Sequence, residues 1–301
     1  MVDIKLTVFF EKVLRFCLTF NVAGGIMENK IKYSLDMIRI DFELEKDSVQ
    51  QLFNKYSLDT RVEHWECFGF KQYKHNLKFK CAADNSFWVG CEPLWCKSGL
   101  RDWVVCTLEF NPNKLRNDLT LLEVYGSLMV LSRVVSCKRF DLAVDIPVTR
   151  SNCILLKDKR KYQEYRVSDS NLTQYLGQRH STGYVKLYNK AIELGLDDDK
   201  LTRLELTVEY EDRNDLQSIF PKVFIADALD MNSLSGTDAA LVFGAMLDIN
   251  ILNFLDKRKK KKIKDILSDT SLILHFDIKK YLIVLHEVQS YINKSQFLKG
   301  L

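Results

Sequence analysis

The sequence predicts an α+β protein: antiparallel sheets with helices packed on one face, two similar lobes, and C-terminal helices. Three observations lead to this prediction. Segments with apolar residues at every second position alternate with segments whose apolar residues recur at intervals of three and four. Each strand-like segment has one polar face, which is typical of antiparallel sheets with one solvated side. The chain has 301 residues, of which 47% are hydrophobic, so it has enough apolar side chains for a sizeable core.

In the first lobe, residues 37–44 alternate between apolar and polar side chains, which predicts a half-buried strand. A helix follows, because apolar side chains occur at positions 49, 52, 53 and 56. Short aromatic-rich strands occupy residues 64–110 and end at an Asn-Pro-Asn turn signal. Residues 119–135 are predicted to form a largely buried helix.

The second half has the same alternation of strands and helices, without an evident repeated segment. Strands are predicted at 139–147, 183–190 and 202–211, and helices near 237–256, 258–268 and 277–293. The predicted organisation is a leader of uncertain role at 1–30, an N-terminal lobe at 31–135, a catalytic sheet lobe at 136–230, and a helical DNA-binding region at 231–301.

Cysteine usage indicates a reducing, cytoplasmic compartment, because the eight cysteines lie mostly in apolar segments and show no CxxC spacing. Buried thiols are the preferred interpretation. The alternative is a zinc site, although the spacing of its ligands is wide; it would use Cys67, Cys81, Cys91, Cys96 and Cys106 with His64 and His75.

Charge and hydropathy place few limits on the partners of the chain. Charged residues interrupt the apolar N-terminal segment, and no segment reaches transmembrane length, so no membrane association is expected. The net charge of +4 is small, but residues 257–264, "KRKKKKIK", concentrate basic side chains. Such a run is either a solvated helix surface or a polyanion-binding surface.

The segment 183–190, "GYVKLYNK", places two tyrosines and two lysines at alternate positions of one strand. The neighbouring predicted strands contribute carboxylates to the same kind of polar face, and carboxylates suit a hard cation such as Mg²⁺ or Mn²⁺. A solvated face is the alternative interpretation. Asp141 and Asp145 are about 13 Å apart on a regular strand, so one is expected to bind the cation while the other orients a lysine or an arginine.

Four motifs in order resemble the replication initiation factor family, the rolling-circle plasmid replication initiators of Gram-positive bacteria. The resemblance covers about 65–301 and is strongest at 139–210. The matching residues are Arg139, Asp141, Ala143 and Asp145; Tyr175, Gly177, Arg179 and Ser181; Tyr188 and Lys190; Arg203 and Glu205.

The resemblance implies site-specific nicking and rejoining of DNA through a 5′-phosphotyrosine, with Tyr188 as the nucleophile. Lys190, Lys186 and Arg203 complete the implied catalytic set, and Tyr184 is the competing phenol. The implied ligands of Mg²⁺ or Mn²⁺ are Asp141, Asp145 and Glu205. The wider nickase group binds its metal through a His-hydrophobe-His pair, which this chain lacks, so carboxylates are expected to replace it.

The implied partners are double- and single-stranded DNA at a replication origin, a host helicase and polymerase, and a second copy of the chain. The residues expected to contact DNA are Arg179, His180, Lys259, Lys260, Lys261 and Lys262. Two other functions remain open from the sequence: a conjugative relaxase that nicks a transfer origin, and an origin-binding protein that does not cut DNA.

Overall fold

The computed structural model describes residues 30–67, 73–93, 102–168, 171–197, 200–225, 235–247, 249–267 and 273–293. The predicted leader, apart from its last residue, and Cys96 of the alternative zinc cluster lie outside these ranges. None of the described helices combines the length and the apolarity that a membrane crossing requires.

The strands, in chain order, are β1 (Lys32–Glu45), β2 (Val62–Glu66), β3 (Tyr73–Lys80), β4 (Ser86–Pro93), β5 (Trp103–Phe110), β6 (Val134–Ile146), β7 (Cys153–Leu155), β8 (Tyr162–Arg166), β9 (Leu172–Leu176), β10 (Val185–Asn189), β11 (Thr202–Glu209) and β12 (Val223–Ile225). The helices are α1 (Lys46–Tyr56), α2 (Pro112–Leu115), α3 (Leu119–Leu131), α4 (Lys190–Leu194), α5 (Leu216–Ile219), α6 (Gly236–Leu247), α7 (Lys257–Leu267) and α8 (Ile278–Ile292).

Ten of the described strands form one antiparallel sheet in the order β2-β3-β4-β5-β1-β6-β11-β10-β9-β8. The long strands β1 and β6 pair at the centre, and each is the inner strand of a five-stranded half. The two halves have the same strand order from the edge of the sheet to its centre. In the first half this order is β2, β3, β4, β5 and β1, and in the second half it is β8, β9, β10, β11 and β6. The predicted α+β class is confirmed, and the two similar lobes are halves of one sheet.

The main core lies between one face of this sheet and the helices α1, α3 and α8. Strand β1 supplies alternate side chains that are fully buried, among them Ile38, Ile40 and Phe42. Helix α8 packs against β1 and β6 through Tyr281 and Val288, so it belongs to the main core. Helices α6 and α7 belong instead to a smaller apolar cluster, which includes Ile154, Phe224, Val242 and Ile263.

Two predicted helices differ from the observed ones. Helix α3 ends at Leu131 rather than at residue 135, because Ser132 is extended and the β-branched Val134 begins β6. The predicted helix at 237–256 is divided into α6 and a 3-10 helix, Ile249–Phe254. The boundary placed between residues 135 and 136 falls within β6, the strand that joins the halves.

The prediction of free thiols is wrong for two cysteines. Cys91 and Cys106 face each other across β4 and β5 and form a disulfide. Their cross-strand register brings the two Sγ atoms together, which the sequence spacing did not reveal. Among the described residues, the free cysteines are Cys67, Cys81, Cys137 and Cys153. The cytoplasmic location stays a prediction.

Candidate active site

Strand register places the predicted catalytic side chains on the sheet face opposite the main core. Lys186 lies opposite Glu205, and Tyr188 lies opposite Arg203, in the pairing of β10 with β11. Arg203 in turn lies opposite Asp145 of β6. Because side chains alternate between the two faces of a strand, these five residues share one surface.

Tyr188 is the centre of this group, and its side chain is buried rather than solvated, with 6% exposure. Its phenol donates a hydrogen bond of 2.6 Å to Glu205 Oε1. Lys190, the first residue of α4, places Nζ 3.4 Å from the phenol oxygen and 2.8 Å from Glu193 Oε1. The ammonium of Lys186 lies 3.8 Å from the centre of the Tyr188 ring. Two cations and two carboxylates therefore surround one phenol.

The electrostatic environment keeps Tyr188 protonated in the absence of substrate. Burial, the charge of Glu205 and the hydrogen bond to that carboxylate together raise the pKa of the phenol well above its usual value of 10.0. Burial also raises the pKa of Glu205 above 4.5. A carboxylate with a raised pKa is a stronger base than an exposed one, and it already accepts the phenol hydrogen.

Arg203 organises two of the carboxylates. Its guanidinium donates to both carboxylate oxygens of Asp145, at 2.6 and 2.8 Å, and to Asp36 at 2.9 Å. Both oxygens of Asp145 are thus engaged by an arginine. Asp36 was not among the residues predicted from the sequence, because a β-bulge between Leu35 and Met37 interrupts the alternation of β1.

Asp141 provides the clearest sign of a cation-binding position. Burial raises the pKa of its carboxyl group, although Thr207 donates a hydrogen bond to it. Its Oδ1 atom is buried and has no hydrogen-bond partner among the residues that the structure describes. Asp141 and Asp36 also raise the pKa of Glu205 through their charges. A divalent cation bound by Asp141 and Glu205 would satisfy the orphaned oxygen and offset this negative charge.

The three predicted metal ligands are not gathered as a set in this structure. Among the residues that the structure describes, the one group with three ligand atoms all within 4.8 Å of one another lies elsewhere in the sheet. The geometry favours Asp141 and Glu205 over Asp145, because Arg203 holds both oxygens of Asp145.

The turn between β9 and β10 carries the predicted phosphate contacts. Gly177 and Gly183 have positive φ angles of 87° and 81°, and His180 has a φ of 70°. The side chains of Arg179 and His180 are exposed, and His180 Nδ1 lies 3.4 Å from an Arg139 guanidinium nitrogen. The turn therefore presents cationic and imidazole groups at the edge of the polar face.

The competing phenol, Tyr184, precedes β10 and is less buried than Tyr188. Its ring stacks on that of Tyr175, with centroids 6.1 Å apart and an interplanar angle of 19°. Of the two phenols, Tyr188 is the one that donates to Glu205 and has a lysine ammonium beside its oxygen.

The basic run forms helix α7, as predicted. Ile263 is fully buried and anchors the helix, while Lys261 and Lys262 are exposed. Lys262 pairs with Asp238 at 2.7 Å, and Lys260 donates to Asn253. Lys259 and Lys260 are half-buried. The helix thus has a cationic surface, and the charge of Lys262 is already neutralised by Asp238.

The fold and the site define a class of protein: an α+β protein whose antiparallel sheet carries a tyrosine, lysines and carboxylates in contact on its polar face. No known family profile matches the chain. A "Replication initiation protein" of Staphylococcus aureus is 25% identical over 274 residues, which cover 86% of this chain and 82% of the relative. Two further proteins with this name from the same organism are 24% and 23% identical, with the same coverage.

Among solved structures, the rolling circle replication initiator protein from Geobacillus stearothermophilus is 18% identical, with coverage of 86% of this chain and 97% of that one. The TM-score is 0.37. The curated relatives confirm the family resemblance found in the sequence: the chain is a relative of replication initiation proteins.

Proposed function

We propose that this protein initiates rolling-circle replication by nicking and rejoining DNA at an origin, with Tyr188 as the nucleophile. The hydrogen bond from Tyr188 to Glu205, with the Lys190 ammonium beside the phenol oxygen, carries the proposal. The names of the curated relatives support replication initiation as the process.

The residues account for one balanced transesterification. As the phenol oxygen of Tyr188 attacks the scissile phosphorus, its proton passes to Glu205. The new bond joins the phenol oxygen to phosphorus, and the bond from phosphorus to the 3′ oxygen breaks. The 3′ oxygen takes a proton from water, the hydroxide left behind takes the proton from Glu205, and the released 3′ hydroxyl primes synthesis. Lys190 and Lys186 stabilise the negative charge that develops near the phenol oxygen.

Asp141 and the Glu205 oxygen that does not accept from Tyr188 would hold a Mg²⁺ or Mn²⁺ ion, with Asp145 keeping Arg203 in place. Such an ion supplies Lewis-acid stabilisation of charge on the phosphoryl oxygens. Arg203, fixed by two carboxylates, is a positioning residue that holds β1, β6 and β11 in register around the site.

DNA binding is assigned to two surfaces. The turn with Arg179 and His180 would hold the backbone near the nick, and the lysines of α7 would supply salt-dependent affinity for the duplex. A second copy of the chain, a host helicase and a host polymerase are the further partners that the family resemblance implies.

A nicking assay on supercoiled DNA that carries the cognate origin tests the proposal. Wild-type protein with Mg²⁺ or Mn²⁺ is expected to produce open circles, and Tyr188→Phe is expected to produce none while still binding the origin. Nicking by Tyr188→Phe at the wild-type rate would overturn the assignment.

A second candidate function is origin binding without cleavage. The burial of Tyr188 and its raised pKa favour this alternative, because a protonated, shielded phenol is a poor nucleophile. Origin binding by wild-type protein, with no open circles under any divalent cation, would establish it.

A further inference from the structure

A second cluster of chemically reactive side chains lies at the far edge of the sheet. His64 and Glu66 are two residues apart on β2, so they point to the same face. His75 of β3 lies directly opposite Glu66. One ligand atom of each of the three side chains lies within 4.8 Å of the other two.

Helix α1 forms one wall of this cluster. The Phe53 ring lies 5.5 Å from the His64 ring and 4.9 Å from the His75 ring, measured between centroids. The three ligating side chains line a cleft of about 110 Å³, together with Glu92. The cleft therefore has an apolar wall and a polar floor, with room for a small ion and a water molecule.

The contact between His75 and Glu66 is the second observation that indicates a cation. Nδ1 of His75 is buried and has no hydrogen-bond partner within the described part of the chain, yet it lies 3.1 Å from Glu66 Oε1. The two atoms are close without the alignment of a hydrogen bond. Ligand atoms on a tetrahedral zinc ion, with bonds of about 2.0 to 2.1 Å, are about 3.3 Å apart. The observed separation is close to that value.

A strained backbone nearby supports the same conclusion. Glu92 has a positive φ of 56° within β4, a conformation that is costly for a residue with a side chain and that recurs at binding sites. Its carboxylate lines the cleft and contacts Lys74 at 3.3 Å. Glu92 is thus a neighbour of the cluster, and one of its carboxylate oxygens pairs with Lys74.

We propose that His64, Glu66 and His75 bind a zinc ion, with a water molecule or Glu92 in the fourth position. Two imidazoles and one carboxylate suit Zn²⁺ better than Mg²⁺, which prefers oxygen ligands. The ion would fasten the exposed edge strand β2 to β3 and, through the histidine rings, to α1. Strand β2 is seven positions from β10 in the sheet order, about 33 Å at ~4.8 Å for each strand, so the site is separate from Tyr188.

Titration with Co²⁺ as the spectroscopic probe tests the proposal. The full chain is stripped with a chelator, exchanged into excess Mg²⁺ to saturate oxygen-ligand sites, and titrated. One equivalent is expected to bind with the visible bands of tetrahedral cobalt and without a sulfur-to-cobalt charge-transfer band. Zn²⁺ is expected to displace it and to raise the Tm.

The variants His64→Asn and His75→Asn are each expected to weaken Co²⁺ affinity at least tenfold and to remove the Tm shift. His275→Asn is the matched control, since His275 is exposed and outside the cluster, and it should bind as wild type does. Circular dichroism confirms that each variant is folded. Absence of stoichiometric binding, a sulfur charge-transfer band, or equal affinity in His64→Asn and His275→Asn would overturn the proposal. Nicking is not a readout here, so the result is independent of the proposed function.

Discussion

The two halves of the sheet have the same strand order but carry different side chains on part of the polar face. Arg39 and Asp41 of β1 recur one hundred residues later as Arg139 and Asp141 of β6, and Arg39 lies directly opposite Arg139 at the centre of the sheet. The inner strands of the two halves therefore carry the same pair of charges on the polar face.

The adjacent strands repeat the correspondence. Asp41 lies opposite Thr107 of β5, and Asp141 lies opposite Thr207 of β11. In both halves the threonine donates a hydrogen bond to the aspartate, at 2.6 Å in the first half. The register and the local bonding are thus shared as well as the residue types.

The difference lies at the next two polar positions. Glu205 and Arg203 of the second half correspond to Val105 and Trp103 of the first half, again one hundred residues earlier. The first half consequently has no counterpart of Glu205 to accept a proton from a phenol. The shared arginine, aspartate and threonine form a scaffold, and the residues confined to the second half carry the proposed chemistry.

Among replacements that leave Tyr188 in place, the largest effect is expected from Glu205→Gln. Loss of the group that accepts the Tyr188 proton should slow nicking by about 10² to 10⁴-fold, measured as open-circle formation. The matched control is Glu109→Gln in the first half, where the carboxylate pairs with Arg39 and Arg139, and its nicking rate should change little. Equal rates for the two variants would remove the distinction between scaffold and catalytic residues.

A smaller effect is expected from Lys190→Gln. Removal of the ammonium beside the phenol oxygen should reduce the rate of adduct formation by roughly 10²-fold, since the developing phenolate loses its nearest positive charge. Lys186→Gln, which removes a charge from above the ring rather than beside the oxygen, should cost less. The single-turnover rate of adduct formation measures both. A larger loss for Lys186→Gln would reverse the roles of the two lysines.

The two aspartates of the scaffold are expected to share one pH dependence of stability. Burial raises the pKa of Asp41 and of Asp141 above 3.8. Each carboxyl group therefore contributes to the free energy of unfolding in full below pH 3.8, and this contribution is lost as pH rises through the raised pKa. Each Asn variant should gain in unfolding free energy relative to wild type between pH 4 and pH 7, by about 1.4 kcal/mol for each unit of the pKa shift.

Divalent cations should distinguish the same two aspartates. Mg²⁺ should restore stability to wild type and to Asp41→Asn, but not to Asp141→Asn, because the orphaned oxygen belongs to Asp141. Urea denaturation with and without Mg²⁺ measures the difference. An identical response of the two variants to Mg²⁺ would contradict a cation at Asp141.

The smallest effect per substituted residue is expected in helix α7, which belongs to neither half of the sheet. Replacement of Lys259, Lys260, Lys261 and Lys262 by Gln should flatten the slope of log K against log salt by up to about 0.9 for each DNA phosphate that the variant no longer neutralises. The control replaces Lys78 and Lys80, which lie near Glu63 on β2. An unchanged slope in the α7 variant would assign this run to solvated surface.

Periodicity predicted the fold class because antiparallel strands with one solvated face display their alternation in the sequence. The long strands β1 and β6 and the helices α1, α7 and α8 were found for this reason. Strand β8 was missed, since it is a short edge strand with mostly exposed side chains. The repeat of Arg39 and Asp41 as Arg139 and Asp141 was also missed, because the residues around these positions differ between the two strands.

The site was predicted less completely than the fold. Residue types and spacing located Tyr188, Lys186 and Glu205 on one face, and the register confirms that placement. The burial of Tyr188 and the engagement of Asp145 by Arg203 depend on neighbouring strands that are far away in sequence, so local patterns do not contain them. Arg-x-Asp segments one hundred residues apart are the signal that indicates the scaffold.

The most direct test of the account is mass spectrometry of the covalent adduct formed with an oligonucleotide that carries the nick site. Tyr184 directly precedes β10 and Tyr188 lies within it, and fragmentation of the modified peptide distinguishes them. The account predicts a nucleotide on Tyr188, with no adduct in Tyr188→Phe and a persistent adduct in Tyr184→Phe. A nucleotide on Tyr184, or on a tyrosine of the first half such as Tyr73, would contradict it.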